Sequence, residues 1–284
     1  MAAALWVAAF LVTVGLAGFQ RMTGPSHPAR GSVIAPGGQE VRYRLPRSNE
    51  GRDRLVISLP AQAGADGAVL EWRRYPTEDA FVPLPMEPSP SGRLEASIPR
   101  QPAAGKVEYS IRIERGAGEA VHIPSGETVV ARFRDPVPAS VLIPHILAMF
   151  ASMLVSTRAL FEVVRRGAPR ARGLVLTAMG LLVVGGLILG PWVQKFAFGA
   201  YWTGWPLGTD LTDNKTLIAF LAWLPATIVA ARRLNTRFAV ILGWIVMMGI
   251  FLIPHSMRGS ELDWSQTEGA SAPAKQHSGG VGTG

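Results

Sequence analysis

The sequence predicts a membrane α-helical bundle of five transmembrane helices, with one extracytoplasmic all-β sandwich between the first and second helices. Three observations predict it. Apolar residues make up 48% of the 284 and charged residues 17%, and the apolar ones are gathered into runs long enough to cross a bilayer. Between the first two runs the chain changes to period-two alternation, the rhythm of half-buried strands. Finally, arginines concentrate in two short links between apolar runs, whereas the link between those two, 196–214, has no Lys or Arg.

The first apolar run, 3–19, "AALWVAAFLVTVGLAGF", reads as an N-terminal transmembrane helix over 1–20, with a cleaved signal peptide as the alternative. No Lys or Arg precedes it, so the basic start of a signal is missing. Residues 21–39, with Pro25, Pro28, Gly31, Pro36, Gly37 and Gly38, read as a linker.

From 40 to 136 the stretches "EVRYRL", "RLVISL", "AVLEWRRY", "LEASIP", "VEYSIRI" and "TVVARF" alternate apolar with polar residues, and Pro, Gly, Asn or Asp clusters separate most of them. Short strands at regular spacing predict an antiparallel β-sandwich. Leu94, Ala96 and Ile98 would face inward on one strand and Val107, Tyr109 and Ile111 on the next, with Trp72 as a core anchor. The segment "GRLEASIPRQPAAGKVEYSIRIE" (92–114) resembles the last strands of a fibronectin type III or related immunoglobulin-like domain. The resemblance covers about a third of the chain and implies a fold, with no chemistry attached.

A four-helix membrane domain follows over 139–258, with helices at 139–164, 173–194, 215–231 and 237–255. Arg165, Arg166, Arg170 and Arg172 occupy the first link, and Arg232, Arg233 and Arg237 the third. The positive-inside rule makes those two links cytoplasmic and puts both 196–214 and the β-domain outside, which for a bacterial-type inner membrane is the periplasm. Pro225 predicts a kink, and Gly186 and Gly190 in "GGLILG" give a G-x-x-x-G spacing for close helix contact. The tail 265–284 is poor in apolar residues and reads as disordered.

Several chemistries are excluded at once. With no cysteine there is no disulfide, thiolate metal site, iron–sulfur cluster or covalently attached haem. The net charge of +8 does not point to nucleic acid, because many of the arginines flank apolar runs, where they set topology and meet anionic lipid. No nucleophile motif, phosphate loop, zinc-binding helix or EF-hand loop is present.

The polar residues predicted on the outer face define the candidate site: His145, Asp210, Asp213 and His255. "IPH" occurs at the outer ends of two antiparallel helices, at His145 and His255, close to "GTDLTDNK". Lys215, Glu261 and Asp263 belong to the same level. Asp213 is placed to cap the 215–231 helix. The segment 201–216, "YWTGWPLGTDLTDNKT", is read as an ordered lid, turned by Gly204, Pro206 and Gly208, with Asp210 approaching a histidine. Trp192, Tyr201, Trp202, Trp205 and Trp264 suit an aromatic belt or packing on the β-domain, and Arg158 with Glu162 an i, i+4 ion pair. His145, Met149 and His255 form a possible metal set, because imidazole and thioether suit haem b iron or copper, and two histidines at one depth can clamp a haem.

The leading functional expectation is a non-enzymatic structural, assembly or sensing subunit, in contact with membrane lipid and with other membrane or periplasmic proteins. The first alternative is a haem- or copper-binding redox or metal-handling protein. The second is a small transporter, which the scarcity of ionisable groups inside the helices disfavours.

Overall fold

The computed structural model describes residues 2–24, 26–34, 38–51, 53–61, 67–115, 119–165, 167, 169–254 and 262–265. The chain enters through α1 (Ala2–Thr23), crosses a β-rich region, and ends in a helical region of α2 (Ala139–Val164), α3 (Ala171–Leu182), α4 (Gly190–Phe198), α5 (Leu211–Ala231) and α6 (Arg237–Leu252). A π-helical segment, Val183–Leu189, joins α3 to α4, so Ala171–Phe198 runs as one helix of 28 residues. Among the described residues four helices, namely α1, α2, Ala171–Phe198 and α5, are long and apolar enough to cross a membrane. α6 is apolar but has 16 residues, about 24 Å at 1.5 Å per residue, short of a bilayer core of about 30 Å.

The strands are β1 (Ala29–Ile34), β2 (Glu40–Leu45), β3 (Ser48–Glu50), β4 (Leu55–Pro60), β5 (Ala68–Tyr75), β6 (Val82–Pro85), β7 (Glu87–Pro88), β8 (Arg93–Ile98), β9 (Lys106–Arg115), β10 (Glu119–Ile123) and β11 (Val129–Arg134). One sheet has the order β3-β11-β9-β5-β6, with β10 continuing the β11 edge of β9. A second has the order β4-β8-β7, and β1 pairs with β2 alone. The alternation read in the sequence becomes burial. Leu55, Ile57 and Leu59 on β4 stand opposite Ile98, Ala96 and Leu94 on β8, and all six are buried. They share one apolar core with Leu70, Val107, Tyr109, Ile111, Ile113, Val129, Ala131 and Phe133 from the larger sheet. Each large aliphatic or aromatic side chain so buried contributes about 1.5–3 kcal/mol. Trp72 packs on this core from its edge, half-buried. Tyr109 buries its ring there and donates its hydroxyl to the Pro46 carbonyl at 2.7 Å, and burial pushes its ionisation well above the usual tyrosine range, so it remains a donor.

Two departures from the expected boundaries are informative. Residues 29–34 were expected to be linker, yet they form β1, whose Gly31 lies against the Tyr43 ring across the ladder. α5 begins at Leu211 rather than at 215, which moves its cap.

The helical core is built of small and thioether side chains, among them Ala159, Ala178, Ala219, Ala226, Met179 and Met247, around a fully buried Trp223. Small residues let backbones approach, and polar side chains then bridge the helices. Ser152 donates to the Ala178 carbonyl at 2.9 Å, Trp223 Nε1 to the Val175 carbonyl at 3.2 Å, and Trp244 Nε1 to Thr157 Oγ1 at 3.0 Å.

A clasped loop as the candidate functional site

α4 ends where Gly199 takes the left-handed conformation (φ 86°) and returns its N–H to the Lys195 carbonyl, a turn that favours glycine. The chain then folds back across residues 200–210 and re-enters a helix at Asp210. The Asp210 carboxylate accepts from the Thr212 N–H at 2.7 Å and from the Thr203 hydroxyl at 3.2 Å, so Asp210 is the N-cap of α5. The cap expected at Asp213 therefore falls to Asp210, because the helix starts one turn earlier than the apolar run alone suggests.

Asp213 has a different task. Its Oδ2 accepts from the Thr203 N–H at 2.6 Å, the Gly204 N–H at 3.0 Å, Gln194 Nε2 at 2.9 Å and the Thr203 hydroxyl at 3.4 Å. The loop is thus wrapped on a carboxylate that is 7% exposed. Asn214 continues the clasp, its Oδ1 accepting from the Trp205 N–H at 2.7 Å. Gly204 is required by close approach, since a Cβ there would lie 2.6 Å from that of Asp213. The clasp holds out a tip of Trp205 and Leu207, 68% and 77% exposed.

Lys215, buried on the next turn of α5, donates to the Ile253 and Pro254 carbonyls at 2.7 and 3.3 Å. Gln20 of α1 donates to the Phe251 and Ile253 carbonyls at 2.7 and 3.3 Å. The last carbonyls of a helix have no partner within it, and a cation there also meets the negative end of the helix dipole. α1, α5 and α6 are tied together at this end by that need.

Of the four residues expected at the site, Asp210 and Asp213 are brought together through Thr203. His145, on α2, is engaged elsewhere, with Nδ1 2.8 Å from the Gly185 carbonyl in the π segment. A carbonyl accepts only, so Nδ1 carries the proton and Nε2 the lone pair. Met149 lies one turn along, where its sulfur would sit 3.1 Å from a Cβ on Gly185. His255 and Glu261 lie outside the described residues, as do Arg166 and the tail from 266. Among the described residues no group of three or more His, Asp or Glu side chains could hold a metal. The G-x-x-x-G pair separates: a Cβ on Gly186 would meet Thr216 at 2.6 Å, whereas Gly190 makes only ordinary contacts, with His145 among them.

Trp264, expected at the aromatic belt or on the β-domain, is buried against the β-rich region: its Nε1 donates to the Tyr75 carbonyl at 3.0 Å, the Arg74 guanidinium lies 5.4 Å from its ring, and Gly105 leaves room for it. Nearby, the Asp135 N–H donates to the Ala197 carbonyl at 3.0 Å and Arg132 covers the Phe198 ring at 4.4 Å, so the end of α4 also touches the end of β11. At the opposite end of the helices, Arg158 and Glu162 approach to 2.7 Å while 1% and 4% exposed. Among the described residues Arg158 Nε and Nη1 have no hydrogen-bond partner, and the guanidinium lies 5.7 Å from the Trp6 ring. Arg170, expected only to mark topology, gives its backbone N–H to Glu162 at 3.4 Å.

Comparison of the chain with known protein families, with curated proteins and with solved structures found no match.

Proposed function

We propose that the chain is an integral protein of a bacterial-type inner membrane, with five helices and a periplasmic β-sandwich, acting as a non-enzymatic structural, assembly or sensing subunit toward other membrane or periplasmic proteins. The observation that carries this reading is the clasp: Asp210, Asp213 and Lys215 spend their polar atoms on the chain's own backbone, and Gln194 braces the Asp213 carboxylate and the Thr203 hydroxyl. Each of the two carboxylates already accepts internal hydrogen bonds, so its oxygens are engaged in holding the fold. The immunoglobulin-like assignment draws support from strand order. β4-β8-β7 follows the B-E-D order of that fold, β6-β5-β9-β11 follows C′-C-F-G, and Trp72 sits on the strand equivalent to C. Such a domain is a recognition module by habit, and fold alone assigns it no reaction.

His145 favours a second reading, haem or copper binding. Its Nδ1–H bond to Gly185 leaves Nε2 as the free lone pair, the arrangement in which histidines ligate metals, with Met149 adjacent. An absorption spectrum and metal analysis of protein purified from membranes tests both. The structural reading expects neither a haem band nor stoichiometric copper. Stoichiometric haem or copper that is lost in His145→Ala replaces it with the redox reading.

A further inference from the structure

The opposite end of the helices holds a cleft of about 610 Å³ between the α2–α3 link and the α5–α6 link. Its lining includes Arg165 and Arg172 from the first link and Arg233 and Arg237 from the second, with no carboxylate among the described lining residues. Two helix N-termini open into it, α3 at Ala171 and α6 at Arg237, and neither N-cap residue supplies a side-chain hydrogen bond. The Arg237 N–H is already taken by Asn235 Oδ1 at 3.0 Å, but the positive ends of the two helix dipoles add to the guanidinium groups of Arg172, Arg233 and Arg237. Glu162, the acid nearest along the chain, is buried against Arg158 and the Arg170 N–H. Arg233 ends α5 in a left-handed conformation (φ 58°), the Leu234 N–H returning to the Val229 carbonyl at 3.0 Å, and this turn carries its side chain to the cleft.

We propose that this cleft binds the phosphate group of an anionic membrane phospholipid. Guanidinium matches phosphate oxygens with paired donors, and several converging on a site without carboxylates leave positive charge that an anion completes. Lipid, rather than a soluble anion, follows from what borders the charge. Val164, Leu234 and Phe238, each next to an arginine of the cleft in sequence, are 55%, 61% and 77% exposed. A headgroup can sit among the arginines while its acyl chains lie on that apolar surface.

The inference rests on the helices spanning a bilayer, which carbonate extraction of membranes checks separately. The test measures thermal unfolding and native-mass adducts of the full chain in neutral detergent. Phosphatidylglycerol, phosphatidylcholine with the same acyl chains, and inorganic phosphate are compared. Phosphatidylglycerol alone is expected to raise the melting temperature by several degrees and to leave one or two bound lipids. The double variant Arg172→Gln/Arg233→Gln is expected to lose that rise while melting like wild type without lipid. If this variant does not fold, Arg172→Lys and Arg233→Lys, which keep charge but lose the paired donors, are expected to weaken lipid retention several-fold. Equal stabilisation by phosphatidylcholine, or an undiminished rise in the variants, overturns the site. A full rise with inorganic phosphate overturns the lipid assignment.

Discussion

Truncating Asp213 and Asp210 separately distinguishes the two acids of the clasp. Asp213→Ala leaves the Thr203 and Gly204 N–H groups without their acceptor under a buried loop and is expected to cost about 3 kcal/mol. Asp210→Ala removes a helix cap and is expected to cost about 1 kcal/mol. Denaturant unfolding in detergent measures both, and the reverse order would remove Asp213 from the centre of the clasp. The sequence shows why this was hard to read. "DLTDNK" offers two candidate caps, and only the return of the chain after Gly199 decides that Asp210 takes the role. Gln194, Thr203 and Asn214 carry no signal of their own, being ordinary polar residues until the loop closes. A second contrast concerns the buried ions. Glu162→Ala, by leaving Arg158 buried and unpaired, is expected to cost about 3–5 kcal/mol, whereas Arg158→Met/Glu162→Leu together should melt close to wild type. A wild-type-like Glu162→Ala melting curve would show that the pair is not buried as described.

Elements with a strong period were legible, and short or proline-interrupted ones were not. α2 occupies 139–164 as the apolar run indicates, and "AVLEWRRY" forms β5 residue for residue. β1, β3, β6, β7 and β10 escaped notice. β6 and β7 carry Pro83, Pro85 and Pro88, residues that belong at sheet edges, where no partner needs their missing N–H. The π segment escaped for a related reason. Pro191 cannot donate to the carbonyl four residues back and its ring collides with it, and the wider turn ahead of Gly190 relieves both. One consequence is that helix packing moves from the G-x-x-x-G spacing to Gly185 and Gly186. A Cβ on Gly185 would lie 2.9 Å from that of Ala148 and 3.1 Å from the Met149 nitrogen, while on Gly190 the nearest atom is 3.5 Å away. Gly185→Ala is expected to cost about 1–3 kcal/mol and Gly190→Ala much less. Equal melting temperatures for the two variants would contradict the close approach of α2.

At the scale of the whole molecule, the apolar runs and the alternating stretch gave a helical region and a β-rich region, while the contacts between them had no sequence signature. The topology prediction belongs here. Cysteines placed singly at Ser89 and Thr209 are expected to react with an impermeant thiol reagent in intact cells, and one at Leu234 to be protected. Labelling of Leu234 alone would invert the orientation and place the arginine cleft outside. The contact at Trp264 predicts a pH response. The Arg74 hydrogen bond holds the Asp79 carboxyl below the usual range, so folding favours its ionised form. That contribution is complete above about pH 4 and is lost as the pH falls through the lowered value. Because Asp79 is a third exposed, its share is below about 0.5 kcal/mol. Asp79→Asn is expected to melt slightly below wild type at pH 7 and to match it near pH 3, and a gap that widens in acid would contradict the pairing.

Trp264 also changes what kind of joint connects the two regions. The β-rich region is continuous with α1 through residue 29 and with α2 through residue 134, and two attachments leave a body free to swing about the line between them. Beyond the touch of α4 on β11, the chain past α6 supplies a further support where Trp264 seats against Tyr75, Arg74 and Gly105. Three separated supports fix a plane, as the legs of a tripod do. A torque applied to the sheets then meets a stop where Trp264 seats and where α4 touches β11, rather than being dissipated in a swivel.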